Sequence, residues 1–265
     1  MKIYLSADIE GTCGINHWNE TDPKKHDHVY FADQMSKEVA VACEGAEEVG
    51  ADEILVKDAH YTARNIKLNL LPKSAKLFRG WSKDPLVMMS GIDETYDACL
   101  FTGYHNGAGL EGNPLCHTMD TMFSYIKING MIATEFVISA YICAYYGVPV
   151  AFLSGDKALC EGAKKFLPNI VTVAVNEGCG AEGTISIHPD LAIERIKAGV
   201  KEALSGDLSR HLLELPEHFE VEMRYKERTP AYKASFYPGM KMIDPNTVVF
   251  KTDDYYEVMR MMLFV

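Results

Sequence analysis

The stretch KIYLSADIEG (2–11) decides the fold. Its first six residues form a short apolar run that ends abruptly in Asp8, Ile9, Glu10 and Gly11. A run this short, bounded by polar and turn residues, reads as a buried strand, KIYLSA (2–7). The next patterned segment has a different period. From about 27 to 49, Val29, Ala32, Met35, Ser36, Val39, Ala42, Cys43 and Ala46 recur at helical spacing, and Gly50 provides a stop. Strand patterns return at EILVKD (53–58), AKLFRG (75–80) and DACLFTGY (97–104). The segments SYIKI and MIATE flank Asn129-Gly130, the pair that suits a two-residue type I′ hairpin turn. A helix is predicted over 134–146, a strand over 148–156, a helix near 157–167 and a strand over 169–175.

Strand alternating with helix in this way predicts an α/β fold, a three-layer α/β/α arrangement around a mostly parallel sheet. The texture changes after about 178, where Gly178, Gly180 and Gly183 loosen the chain. Pro189 starts an amphipathic helix to about 204. FEVEMRY (219–225) and TVVFKT (247–252) alternate like half-exposed strands. The expected division is a metal-binding catalytic α/β domain over 1–180 and a smaller C-terminal α+β domain over 181–265.

Composition narrows the function. Apolar residues make up 48% of the 265, enough to bury a core. A net charge of -11 argues against nucleic acid as a partner. No apolar run approaches the roughly 20 residues of a membrane span, and MKIYLSADIEG lacks the apolar core of a signal peptide. A cytoplasmic location is expected. The seven cysteines include no Cys-x-x-Cys pair, which disfavours both disulfides and a thiolate zinc cage.

In open α/β sheets ligands bind beyond the carboxyl ends of the strands. Strand one delivers Asp8 and Glu10 there. Strand two runs into Asp58-Ala59-His60, and the 97–104 strand into His105. After the hairpin, Glu135 stands where a helix starts. Singly, each reads as a turn former, a helix cap or a hydrogen-bonded histidine. Jointly, carboxylates and imidazoles on one sheet edge suit zinc or a similar divalent ion. Five ligands exceed what one catalytic zinc takes from protein, and a two-metal site fits the number better. Asp58 and Asp156 share that edge, either as carboxylates that orient a ligand histidine or as strand-end turn residues.

An ordered series of motifs resembles the D-aminopeptidase family, the M55 metallopeptidases. Ser6-Ala7-Asp8-Ile9-Glu10-Gly11 is similar to its Ser-x-Asp-x-Glu-Gly signature. His60, Gly103-Tyr104-His105, His117-Thr118-Met119, Glu135 ahead of Ser139-Ala140-Tyr141, and Gly155-Asp156 come after it in order. The resemblance covers most of the chain and weakens after about 180. It implies two zinc ions held by Asp8, Glu10, His60, His105 and Glu135, with Asp8 bridging. It also implies His117 as the catalytic histidine, a short peptide substrate with a free N-terminal D-residue, and a homodecamer of stacked rings. The stretch NGAGLEGNPLC (106–116) departs from the family and is expected to line the substrate side.

Two further readings stay open. One is a metal-dependent amidase or phosphoesterase on the same scaffold, although no Gly-rich phosphate cradle or Arg cluster stands at the strand ends. The other is a ring-forming protein that binds metal or peptide without catalysis. Other signals are discounted. Gly107, Gly109 and Gly112 fit G-x-G-x-x-G but open no helix, since Asn113-Pro114 comes next. His26-Asp27-His28 reads as a solvated helix start, Cys13 as a buried thiol, and Cys116-His117 as too close in sequence for a thiol protease pair. Tyr141, Tyr145 and Tyr146 read as packing or subunit contact.

Overall fold

The computed structural model describes residues 1–265. The chain begins with β1 (Lys2–Ala7), α1 (His28–Glu47), β2 (Glu53–Asp58), β3 (Ala75–Phe78) and β4 (Ala98–Tyr104). A hairpin comes next, β5 (Phe123–Ile128) and β6 (Met131–Ile132), then α2 (Glu135–Tyr145), β7 (Val150–Asp156) and α3 (Lys157–Phe166). The remainder is β8 (Val171–Cys179), β9 (Gly183–Ser186), α4 (Pro189–Leu204), β10 (Phe219–Tyr225), α5 (Arg228–Ala234), β11 (Lys241–Asp244), β12 (Thr247–Thr252) and α6 (Tyr255–Phe264).

The first sheet has the order β3-β2-β1-β4-β7-β8-β9 and is parallel except where β9 runs against β8. It grows from β1 to one side, returns to β4 and grows to the other. The direction therefore switches between β1 and β4, and their carboxyl ends open a crevice there. β1 is buried on both faces, as a central parallel strand must be. Ile3, Leu5 and Ala7 pack in one core with α1 and α4, through Val39, Cys43, Ile196 and Val200. Tyr4 points into the other core, with Phe101, Phe136 and Leu159, so α2 and α3 lie on the opposite face. The expected α/β/α layering is what forms.

The second sheet, β11-β12-β10-β5-β6, is antiparallel. Asn129 and Gly130 take φ of 51° and 80°, the left-handed pair that a type I′ turn requires. The change of sheet does not fall at residue 180. The hairpin 123–132 pairs with β10, whereas β9 and α4 stay with the first sheet. Tyr141, Phe219 and Tyr255 also join Phe101 in one apolar cluster, so the second sheet shares its core with a face of the first.

Local differences have simple causes. Val29, expected in the apolar stripe of α1, is exposed. His28, expected at a solvated helix start, is buried and bonded to Asn65. β10 alternates as expected, whereas β12 is buried at its first four residues. No helix is long and apolar enough to cross a membrane.

Candidate metal centre and active site

Two glycines bring the ends of β1 and β4 together. The Asp8 N–H donates to the Thr102 carbonyl at 2.9 Å, and the Gly11 N–H to the Gly103 carbonyl at 2.8 Å. A Cβ on Gly11 would lie 1.8 Å from the Tyr104 carbonyl oxygen. Gly103 has φ +67° and a Cβ there would meet the Asp8 carbonyl at 2.2 Å. Only backbone without side chains fits at this approach. Ser6 secures the wall beneath it, donating to the Met88 carbonyl at 3.0 Å and lying 2.7 Å from the Tyr104 hydroxyl.

All six residues singled out from the sequence meet here. His60 Nδ1 lies 3.4 Å from Asp8 Oδ1 and 3.0 Å from Glu10 Oε2. His105 Nε2 lies 3.4 Å from Asp8 Oδ2 and 3.2 Å from Glu135 Oε2. His117 Nε2 is 3.6 Å from Glu135 Oε1. Asp8 thus stands between two histidines and turns one carboxylate oxygen to each. The ligand atoms of Asp8, Glu10 and His105 all fall within 4.8 Å of one another, as do those of His105, His117 and Glu135. His117 therefore stands close enough to share a cation with His105 and Glu135.

The outer ring nitrogens fix the tautomers. His60 Nε2 donates to the Thr21 carbonyl at 2.8 Å, His105 Nδ1 to the Asn106 carbonyl at 2.8 Å, and His117 Nδ1 to the Leu115 carbonyl at 2.9 Å. A carbonyl only accepts, so each outer nitrogen carries a proton, which leaves the inner nitrogen as the one that can turn a lone pair to a cation. Such a lone pair would face carboxylates, which is repulsive unless positive charge lies between. Asp8 Oδ2, Glu10 Oε2 and His105 Nε2 are also buried without a hydrogen-bond partner. A divalent cation would satisfy all of these at once, and a backbone carbonyl behind a ligating histidine is the usual support.

Without a cation the imidazoles themselves would carry the positive charge. Burial and the neighbouring charge of Glu10 push the Asp8 carboxyl well above its ordinary range. Burial would raise Glu10 and Glu135 as well, but His60 outweighs it at Glu10, which is held far down. His105 and His117 outweigh it at Glu135, which is lowered to about 2. Burial disfavours charged imidazoles, yet Glu10 with Asp8 pushes His60 well up, and Glu135 with Asp8 does the same for His105. Three buried carboxylates in one site call for positive charge, from protonated imidazoles or from a bound cation.

Asp58 and Asp156 act differently from a direct histidine partner. Asp58 accepts from the Asn65 side chain at 2.9 Å and the Ile66 N–H at 2.8 Å, and Asn65 in turn donates to the His60 carbonyl at 2.8 Å. Asp156 accepts from the Leu159 N–H at 2.8 Å, capping α3, and from the Asn106 N–H at 2.6 Å. Each carboxylate fixes the backbone that carries the histidine and leaves the imidazole to a carbonyl. Sequence reasoning missed the support residues Thr21, Asn65 and Trp18. Thr21 acts through its main chain, which leaves no side-chain signal. The glycines of 107–112 lie in an irregular loop and open no helix.

The site floors a cleft of about 540 Å³. Five carboxylates line it, Asp8, Glu10, Asp22, Asp120 and Glu135, and no lysine or arginine does. Such a lining attracts an amine or a metal and repels phosphate. Both tryptophans of the chain, Trp18 and Trp81, stand in its walls. Trp18 meets the edge of His117, with ring centroids 5.3 Å apart.

A parallel α/β sheet with carboxylates and imidazoles converging at its switch point is suited to metal-assisted hydrolysis. The chain belongs to the M55 peptidase family, described as D-aminopeptidase, which it matches over residues 1–264, and it is a peptidase acting on peptide bonds. A D-aminopeptidase of Bacillus subtilis (strain 168) is 28% identical over 264 residues, covering 99% of this chain and 96% of its own. Among solved structures, the zinc-dependent D-aminopeptidase DppA from Bacillus subtilis, described as a self-compartmentalizing protease, superposes with a TM-score of 0.93. It is 27% identical, with 99% of this chain and 96% of that one covered.

Proposed function

We propose that the chain is an aminopeptidase that uses two zinc ions to release the N-terminal, D-configured residue of a short peptide. The observation that carries the two-ion reading is Asp8, whose oxygens face His60 on one side and His105 on the other. One ion would be held by Asp8, Glu10 and His60, the other by Asp8, His105 and Glu135. The mixture of imidazole and carboxylate suits zinc. Divalent cations at such a site supply Lewis acidity, polarising the scissile carbonyl and making water a stronger nucleophile at neutral pH.

The chain's own groups do the rest. The acidic lining draws in a free α-amine, which favours an aminopeptidase over a phosphoesterase. His117 is the most exposed of the three histidines, and its Nε2 lone pair is aimed by the Nδ1 bond to Leu115. We assign it the proton transfer, taking a proton from the attacking water and returning it to the leaving amine. The supports behind His60 and His105 hold those rings oriented. The D-preference and assembly as a homodecamer of stacked rings are taken from the family resemblance, and the self-compartmentalizing relative supports self-association. A cytoplasmic location accords with seven cysteines that form no disulfide.

The test is metal analysis of the purified protein beside hydrolysis of D-Ala-D-Ala and L-Ala-L-Ala, with the solution mass measured on the same sample. Two zinc ions per chain and faster cleavage of the D-peptide are expected, and Asp8→Ala should lose both activity and bound zinc. A metal content near zero, or preference for the L-peptide, would sink the reading.

A further inference from the structure

The cleft does not end at the acid and histidine cluster. Past Trp81, Val87 and Met119 it opens into a second hollow of about 450 Å³, lined by Met122, Ile126 and Met223 among others. The two hollows share Trp81, Val87, Met119 and Asp120 in their walls and so adjoin, the first acidic and the second lined mainly by apolar side chains with Lys83 and Asp84 beside them.

The junction is built rather than incidental. Val87 and Met119 hold φ of +46° and +64°, a conformation that side-chain-bearing residues rarely adopt and a β-branched one hardly ever. Such strain persists only where the surroundings enforce it. Met119 is tied to the catalytic side, its N–H donating to Glu135 Oε1 at 2.6 Å. The loop carrying Val87 is pinned by Asp84, which accepts from the Leu86 N–H at 3.0 Å, and by Ser6, which bonds the Met88 carbonyl. Trp81 is fixed from two directions. Its Nε1–H donates to the Tyr61 carbonyl at 2.8 Å, and the ammonium of Lys57 sits 4.4 Å over its ring. Lys57 is fully buried and donates to the Asp58 and Gly80 carbonyls at 2.7 Å each. A buried ammonium with those partners makes the indole a rigid wall.

We propose that this second hollow is a side-chain subsite for the residue after the scissile bond, and that the enzyme favours short peptides with a large apolar residue there. The proposal rests on the aminopeptidase reading. In that reading the free amine and the scissile carbonyl both belong to the first residue and are committed to the acidic hollow. The adjoining hollow beyond Met119 and Trp81 is left to the second residue. Its lining rewards the transfer of apolar surface from water.

The experiment uses the zinc-loaded full-length protein and two dipeptide series in the configuration it cleaves, X-Ala and Ala-X, with X as Ala, Leu or Phe. The kcat/KM for Ala-Leu and Ala-Phe should exceed that for Ala-Ala by about tenfold or more, with a smaller spread in the X-Ala series. In Trp81→Ala and, separately, Met122→Ser, the Ala-Phe to Ala-Ala ratio should fall towards one. A flat Ala-X series, or a ratio untouched in both variants, would overturn the subsite while leaving the aminopeptidase standing. So would variants that change the solution mass and not the ratio, since the hollow would then belong to a contact with a second copy. Failure to cleave any member of either series would remove the aminopeptidase reading and the subsite with it.

Discussion

The imidazoles of His105 and His117 lie face to face, with ring centroids 4.3 Å apart and planes within 9° of parallel. Trp18 also packs against His117, its ring at 66° to the imidazole. The ring proposed to move protons thus meets both a ring proposed to ligate and an indole.

His117→Gln should separate chemistry from metal binding. The five proposed ligands remain, so zinc content should not change. Loss of a positioned acid–base group should lower kcat by about 10²–10⁴-fold. Steady-state kinetics with metal analysis on the same preparation checks this. Turnover within a few-fold of the parent would remove His117 from the mechanism.

Asn65 links Asp58, His28 and the His60 carbonyl by three hydrogen bonds. Asn65→Ala should leave His60 in place but poorly held. Zinc affinity is expected to weaken by about 10–100-fold, the usual effect of losing an outer support. Competition against a chelator of known affinity measures it. An unchanged affinity would show that the Thr21 carbonyl alone orients the ring.

Glu38 supplies a pH signature away from the site. It is buried in α1, accepts from the Cys13 N–H and the Gln34 side chain at 3.0 Å, and burial pushes its carboxyl from 4.5 to about 7. The folded state therefore binds this proton more tightly than the unfolded chain. The group's contribution to stability is complete below about pH 4.5 and is lost as pH rises to about 7. Relative to the parent, Glu38→Gln should gain stability across that window, by an amount on the order of 3 kcal/mol. Denaturant unfolding of both proteins at matched metal loading, from pH 5 to 8, tests it. Parallel curves would contradict the assignment.

Gly11→Ala should be among the most damaging single methyl additions. The new Cβ would fall 1.8 Å from a carbonyl oxygen of β4, and backbone cannot step aside as a flexible side chain can. A loss of about 3 kcal/mol or more is expected, with zinc binding impaired because Asp8 and Glu10 ride on the same loop. Gly162→Ala, where a Cβ meets nothing within 4 Å, is the control. Thermal unfolding of the two variants should differ widely.

The candidate metal centre was legible in the sequence only in part. Asp8, Glu10, His60 and His105 could be placed because each stands just past an apolar strand, and parallel strands deliver their carboxyl ends to one edge. Glu135 and His117 lie in a connection whose path the pattern does not reveal, and the family resemblance recruited them. The hairpin turn at Asn129-Gly130 was readable, since left-handed backbone selects those residues. Its sheet was not, because strand partners are chosen by contacts distant in the chain.

The sequence by itself determined the local chemistry: which segments alternate or recur, where they stop, and which ionisable residues stand at the stops. Tertiary structure alone decided how those residues face one another. The turning of Asp8 between two histidines, the three carbonyls that set the ring tautomers, and the stacking of His117 on His105 were not legible along the chain. Hydrogen-bond direction and lone-pair orientation depend on through-space geometry, and no periodicity along a single strand or helix encodes them.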